Sequence, residues 1–255
     1  MAQNVEDAWK NLVMQGLSTA NDNKFEEAEK LLLRAVKEAE RFGVADVRVG
    51  TTLNSLGLVY KSQKRWADAE ATFRRSLTIM DKVYGADSMD TGNVNYNIAS
   101  VVLEQGKFEQ AIAPLKNARQ VYERQLGGES LKTASVNCMI GDVLRHQKNY
   151  SEAEMLLKRC ASVREAQSGI MSAELGDALH SLALVYHQEG KYAIADSTFK
   201  LAEKIREKTA GIMSAALADT LEAHAVLLQQ LGRVEQADKN LRLSSAIRRN
   251  PSKVK

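Results

Sequence analysis

The sequence is poor in the residues that interrupt helices, and this scarcity limits its fold class. Only two prolines, Pro114 and Pro251, occur in 255 residues, and aromatic residues make up 5%. A chain with so few prolines suits long helices that pack through aliphatic and small side chains. An all-β fold has little support, whereas a hydrophobic content of 44% is enough for a packed interior.

An excess of charge and long hydrophobic runs are also missing. The 35 basic and 32 acidic residues give a net charge of +3, so the surface carries no general footprint for nucleic acid. No apolar run approaches the ~20 residues that cross a bilayer. Met1–Lys10 contains no apolar core of a secretory signal. We therefore expect neither a nucleic-acid partner nor a membrane partner, and we interpret the basic tail that follows Arg249 as solvated.

Cysteines and catalytic motifs are scarce. The two cysteines, Cys138 and Cys160, do not have the spacing of metal ligands, and a reducing cytoplasm is the predicted location. The sequence contains no phosphate-binding glycine loop, nucleophile elbow or HExxH motif. We therefore predict that the protein is not an enzyme and uses no cofactor or metal.

What the sequence does contain is a repeat of 42 residues along its whole length. Alanine recurs at this interval, and so does glycine, in the same register. The two ladders are Ala69, Ala111, Ala153, Ala195, Ala237 and Gly43, Gly85, Gly127, Gly169, Gly211. A period of this size indicates a stack of supersecondary units, each of which buries its core against its neighbours.

One repeat, residues 53–94, shows the unit. Leu53, Leu56 and Tyr60 share one helical face, and a second apolar face follows after a short break and ends before Gly85. The repeat therefore predicts two antiparallel helices. One column of helix-capping residues should start each following helix pair. A second column of residues that tolerate positive φ should form the turn between the two helices of a pair. These columns are Asn4, Asp46, Ser88, Ser130, Ser172, Ser214 and Asn23, Lys64, Gly106, Lys148, Gly190, Gly232.

Small residues form two further columns where the paired helices would cross closely. They are Gly16, Gly57, Ala99, Gly141, Ala183, Ala225 and Ala35, Ser76, Ala118, Cys160, Ala202, Ser244. Because Cys160 stands in the second column, we interpret it as a packing residue rather than a nucleophile.

This order of a small residue, an aromatic and an alanine, as in LNSLGLVYKSQKRWADAEATFRRSL, resembles the tetratricopeptide repeat, and the 42-residue version resembles the repeats of kinesin light chains. The resemblance implies an all-α fold, a right-handed α-solenoid (superhelix) of about six helical hairpins in a single array over residues 1–249, with a basic tail at 250–255. The copies are about 4–45, 46–87, 88–129, 130–171, 172–213 and 214–249. No heptad-patterned segment precedes Asn4, so we do not expect a full kinesin light chain.

The resemblance also implies a concave groove, lined by the first helices, that holds a peptide segment or a helical partner. Mapping the family's groove columns onto this chain gives eight candidate contacts: Asn54, Lys61, Tyr96, Ser100, Asp142, Arg145, His180 and His187. The related light chains hold an asparagine at most copies of the first column, and here only Asn54 keeps it. The function expected is that of a protein-binding scaffold.

Two other functions compete with this one. The array ends could support weak self-association if Leu241, Leu243 and Ile247 are exposed. A metal-dependent enzyme could use His180 and His187, but their spacing of seven separates the two imidazoles by about 10 Å along a helix, whereas strong helical zinc pairs are four apart.

Overall fold

The computed structural model describes residues 2–211 and 213–249, and all regular secondary structure in these residues is α-helical. The helices are α1 (Ala2–Asn21), α2 (Phe25–Glu40), α3 (Val47–Ser62), α4 (Trp66–Tyr84), α5 (Met89–Glu104), α6 (Phe108–Leu126), α7 (Leu131–His146), α8 (Tyr150–Ser168), α9 (Ala173–Gln188), α10 (Tyr192–Ala210), α11 (Ala215–Gln230) and α12 (Val234–Arg249). The tail predicted at 250–255 lies outside the described residues.

The fold divides between Gly127 and Gly128 into two compact units, here called unit 1 (α1–α6) and unit 2 (α7–α12). Each unit contains three helical hairpins, and inside a unit the second helix of a hairpin also packs against the first helix of the next. The predicted all-α fold of repeated helical hairpins is confirmed, while the single array over 1–249 stays a prediction. None of the described helices has the length and apolarity that a membrane crossing requires.

The predicted caps start five of the first helices. The side chains of Asp46, Ser88, Ser130, Ser172 and Ser214 each accept a hydrogen bond from a backbone N–H in the first turn that follows, which satisfies an amide that the helix leaves without a partner. The cap predicted at Asn4 is wrong, because α1 already begins at Ala2.

The turns inside the hairpins follow their predicted column. Asn23, Lys64 and Lys148 have φ values of 60°, 59° and 61°, and the glycines of the same column also have positive φ. The glycines that end the second helices differ from the expected left-handed cap. Gly85, for example, combines φ 81° with ψ 164°, an extended conformation at positive φ that is essentially restricted to glycine.

Close helix crossings explain the small-residue columns. A Cβ placed on Gly57 would lie 2.5 Å from Cε1 of Phe73, and one on Gly141 would lie 2.6 Å from Cγ of Leu157. Phe73 and Leu157 are completely buried. A larger residue at either glycine would therefore push the paired helices apart.

The apolar side of α12 faces α11. Ile247 is only 2% exposed and packs with Leu217 and Leu221, and Leu241 and Leu243 are half-buried against the same hairpin. The expectation that Ile247 is exposed at the array end is therefore wrong, because α12 packs this side chain against α11. The residues that α12 leaves exposed are mostly polar, and they include Asp238, Lys239, Arg242, Ser245 and Arg249.

Candidate functional site

The eight predicted contact residues lie on the first helices of four hairpins. The first four are in unit 1, with Asn54 and Lys61 on α3 and Tyr96 and Ser100 on α5; the other four are in unit 2, with Asp142 and Arg145 on α7 and His180 and His187 on α9. The structure therefore gives two sets, one in each compact unit.

In unit 1, two asparagine side chains join α3 to α5. Asn97 Nδ2 donates to Asn54 Oδ1 over 3.0 Å. The remaining amide atoms, Nδ2 of Asn54 and Oδ1 of Asn97, form no hydrogen bond with any described residue. One donor and one acceptor are thus left unused at this contact, and a peptide group offers the matching acceptor and donor.

Lys61 lies two turns after Asn54 on the same helix, and Leu58 lies between them. Burial lowers the pKa of the Lys61 ammonium, and the charge of Glu104 opposes that shift. Within the described part of the chain, no carboxylate forms an ion pair with Lys61. Leu58 is 41% exposed, so an apolar side chain is accessible beside a partly desolvated cation.

Tyr96 completes this surface from α5. Its ring centroid is 6.4 Å from that of Tyr122, whose hydroxyl donates to Asn93 Oδ1 over 2.9 Å. Ser100, one turn later on α5, is buried and offers little surface. We call Asn54, Leu58, Lys61 and Tyr96 the unit 1 face.

In unit 2, the corresponding charged residues bind one another. Arg145 Nε lies 3.7 Å from Asp142 Oδ1, and the Arg145 side chain is only 12% exposed. Ser181 Oγ donates to Asp142 Oδ2 over 3.1 Å. Burial raises the pKa of Asp142, while Arg145 and Ser181 act in the opposite direction. The two charges therefore pair within α7, and Ser181 joins Asp142 to α9.

The two histidines of α9 have separate surroundings. Burial, together with the positive charges of Arg206 and Arg145, lowers the pKa of His180 to about 3, so its ring is neutral at physiological pH. His187 Nε2 lies 2.8 Å from Gln230 Oε1 of α11. In the described residues no group of three or more His, Cys, Asp or Glu side chains could hold a metal ion. Asp142 of α7 and Asp177 of α9 both contact arginines.

A disulfide joins the two cysteines across the α7–α8 hairpin. Cys138 and Cys160 are both buried, and their Cα atoms are 5.7 Å apart. The predicted packing of Cys160 among small residues is confirmed, since it is fully buried, but the bond itself was not predicted. Disulfides persist mainly in oxidising compartments, so the predicted cytoplasmic location stays a prediction.

Sequence reasoning missed the partners that decide which candidates are accessible. Asn97 is adjacent to Tyr96 but outside the groove columns, and Arg206, which is buried and donates to Asp177, lies on a second helix. The sequence did carry a signal for the disulfide, because Cys138 and Cys160 stand in two columns that meet inside one hairpin. Glu222 and Ser244 occupy the same two columns two repeats later, and they are hydrogen-bonded.

Comparison with known proteins identifies the repeat. A family model described as tetratricopeptide repeat matches residues 14–82, 48–116 and 90–166, and a second model with the same description matches residues 176–209. A search of curated proteins finds no match to the sequence.

Several solved structures are similar to the chain in fold. BtubC (BKLC) from P. vanneervenii has a TM-score of 0.70 at 18% identity, covering 90% of this chain and 92% of its own. The apo form of RapI has a TM-score of 0.71 at 16% identity, with 96% and 99% covered. A Rap protein complexed with Competence and Sporulation Factor has a TM-score of 0.61 at 19% identity, with 97% and 77% covered.

Proposed function

The chain belongs to the tetratricopeptide repeat family, and on this premise we propose that it is a non-catalytic scaffold that binds a protein partner through the unit 1 face. The partner presents an extended peptide segment or a helix. One of the similar structures is a Rap protein in complex with Competence and Sporulation Factor, which supports protein or peptide ligands in general.

The observation that carries the proposal is the set of unused polar groups around Leu58. Asn54 and Asn97 offer one donor and one acceptor, and Lys61 is a partly desolvated cation that forms no ion pair with the described residues. Desolvating an ammonium costs free energy, which an anionic group on a partner can recover. An accessible apolar side chain among such polar anchors is typical of the centre of a protein interface.

The second set of candidates supports binding less directly. Asp142 and Arg145 contact each other, and His187 contacts Gln230. A partner would have to replace these contacts before it gained any new ones. We therefore assign Asp142, Arg145, His180 and His187 a secondary part in partner binding.

The test uses a matched pair of double variants in unit 1. N54A/K61A removes one asparagine and one lysine from the unit 1 face, and N117A/K116A removes the same residue types from exposed positions of α6. Peptides selected from a display library against the wild-type chain serve as probes. We expect at least a tenfold loss of affinity for the first variant, since a well-placed polar anchor contributes about 1–2 kcal/mol, and less than a twofold change for the second.

Unaltered helical circular dichroism in both variants is the folding control. If N54A/K61A keeps wild-type affinity, or if both variants lose it equally, the unit 1 face is not the binding site.

Sedimentation at several concentrations separately tests the predicted self-association. A thiol count on chain alkylated inside intact cells tests the location, because two blocked thiols fit the cytoplasm and a disulfide fits an oxidising compartment.

A further inference from the structure

A buried histidine joins the last hairpin of unit 2 to the helix before it. His224 of α11 is 2% exposed. Its Nδ1 lies 2.7 Å from Glu203 Oε1 and its Nε2 lies 2.9 Å from Asp196 Oδ1, both carboxylates being on α10. The ring also stacks on Phe199 of α10, with centroids 5.3 Å apart. The imidazole is thus held between two acids and an aromatic ring.

Only the protonated ring can donate to both carboxylates, although Asn240 Nδ2 of α12 also lies 3.4 Å from Nδ1. A neutral imidazole has one donor and one acceptor nitrogen, whereas the imidazolium donates from both. Both nitrogens of His224 face carboxylate oxygens, which are acceptors. Burial lowers the pKa of His224, but the hydrogen bonds with Glu203 and Asp196 outweigh burial and leave that pKa above its ordinary value.

Neighbouring charges keep Asp196 ionised, and an amide of α12 binds Glu203. Lys200 and Arg233 donate to Asp196 over 2.8 and 3.1 Å, and Asn240 of α12 donates to Glu203 over 3.2 Å. Burial raises the pKa of Asp196, but the hydrogen bonds from Lys200, His224 and Arg233 outweigh it and lower that pKa to about 2. The proton that can leave this cluster near neutral pH is therefore the one on His224.

Other titratable groups near the hairpin have their own contacts. His187 of α9 bonds Gln230 of α11, and His180 of α9 meets the edge of Phe199. Glu222 and Asp219 of α11 pair with Arg248 of α12, so these charges connect the two helices of the hairpin to each other and not to α10. His224 is the group whose protonation bears on the contact with α10.

The preceding hairpin provides an internal comparison. At the positions 42 residues earlier, Leu182 replaces His224 and Ala161 replaces Glu203, and both belong to the buried apolar core of unit 2. Glu154 stands in the place of Asp196 and forms ion pairs with Lys158 and Lys191. The fifth hairpin thus packs on the preceding helix, α8, through apolar side chains. At the same position the sixth hairpin packs on α10 through ionised groups.

We propose that the protonation state of His224 controls how tightly the α11–α12 hairpin docks onto α10. With the proton present, the ring donates to both carboxylates and the hairpin is held. When the proton leaves, one nitrogen presents a lone pair to a buried carboxylate, and the contact becomes repulsive.

The direction of the pH dependence follows from the raised pKa. The docking contribution is fully present below the unfolded pKa of about 6.5, and it is lost as pH rises through the higher pKa of the docked state. For one proton, the docking equilibrium changes by at most tenfold per pH unit inside this window.

The experiment measures hydrogen exchange of the α11 and α12 amides between pH 6 and pH 9, as protection factors corrected for the intrinsic rate. An NMR titration of the His224 ring gives its pKa in the same samples. The comparison variant is H224L/E203A, which installs the Leu182 and Ala161 pair of the preceding hairpin. H224Q, which keeps a donor and an acceptor without titrating, is the second variant if the double variant folds poorly.

The wild-type chain should lose protection in α11 and α12 as pH rises, while the α9 amides change much less. Either variant should show no loss in this range. The proposal is overturned if wild-type protection is independent of pH, if the variants lose protection as the wild type does, or if the His224 ring titrates below pH 6.5.

Discussion

At two columns of the repeat, Asn54 and Lys61 of unit 1 keep polar atoms without a partner in the described residues (open), whereas Cys138 and Arg145 of unit 2 form contacts inside the fold (closed). Lys61 and Arg145 occupy one column, but Lys61 forms no ion pair with the described residues, whereas Arg145 contacts Asp142. Asn54 and Cys138 occupy another, and the first keeps a free amide donor while the second is bonded to Cys160. A column whose residue type varies between copies therefore does not by itself mark a binding surface, because some of the varied residues form contacts inside the fold.

The two units do share the contacts that stack their hairpins. An acidic residue on a second helix pairs with a cation just before the second helix of the next hairpin. The pairs are Glu29–Arg65 and Glu70–Lys107 in unit 1, and Glu154–Lys191 and Asp196–Arg233 in unit 2. In each pair the carboxylate is largely buried and the cation is partly exposed, so both units stack their hairpins with the same kind of contact.

The largest expected effect comes from removing the disulfide of the α7–α8 hairpin in unit 2. The disulfide joins residues 22 apart, and the loop-entropy relation gives a loss of about 3 kcal/mol in the free energy of unfolding when a loop of this length is released. We expect this loss in C138A/C160A, measured by urea unfolding with hydrogen exchange at α7 and α8. A reducing agent should weaken the wild-type chain by a similar amount and leave the variant unchanged. Equal stability of the wild type and the variant would contradict a stabilising bond.

A smaller effect should separate Lys61 from Arg145 within their shared column. R145A leaves the partly buried Asp142 carboxylate without its cation, which we expect to cost about 1–3 kcal/mol. K61A breaks no ion pair with the described residues and relieves a desolvated ammonium, so its effect should stay within about 0.5 kcal/mol. Urea unfolding of both variants makes the comparison. Equal losses would show that the open and closed descriptions of this column are wrong.

Sequence periodicity was sufficient for the fold and insufficient for the site. The caps at Ser88 and Ser130 and the positive φ of Lys64 follow from local rules, because each depends on a few neighbouring residues. The pairing of Asn54 with Asn97 depends on which rotamers meet between two helices, and that of Arg145 with Asp142 depends on the rotamers chosen within α7. No repeat pattern encodes either choice. Cys138 and Cys160 show the intermediate case, since their columns also meet at Glu222 and Ser244, but only the chemistry of two cysteines gives a covalent bond.

The smallest effect concerns His180, which shares its column with Tyr96 of unit 1. The His180 pKa is lowered to about 3 in the folded chain by burial and by two arginines, whereas an unfolded histidine titrates near pH 6.5. Between these values the unfolded chain binds the additional proton, so this residue makes stability fall as pH falls. We expect H180F, which places a non-titrating ring in the same position, to show a shallower loss of unfolding free energy between pH 6.5 and 4.5 than the wild type. Y96F in unit 1 is the matched control, since a tyrosine does not titrate in this range, and its slope should equal that of the wild type. If H180F also keeps the wild-type slope, His180 is protonated in the folded chain, and the first-helix surface of unit 2 is more open than its contacts indicate.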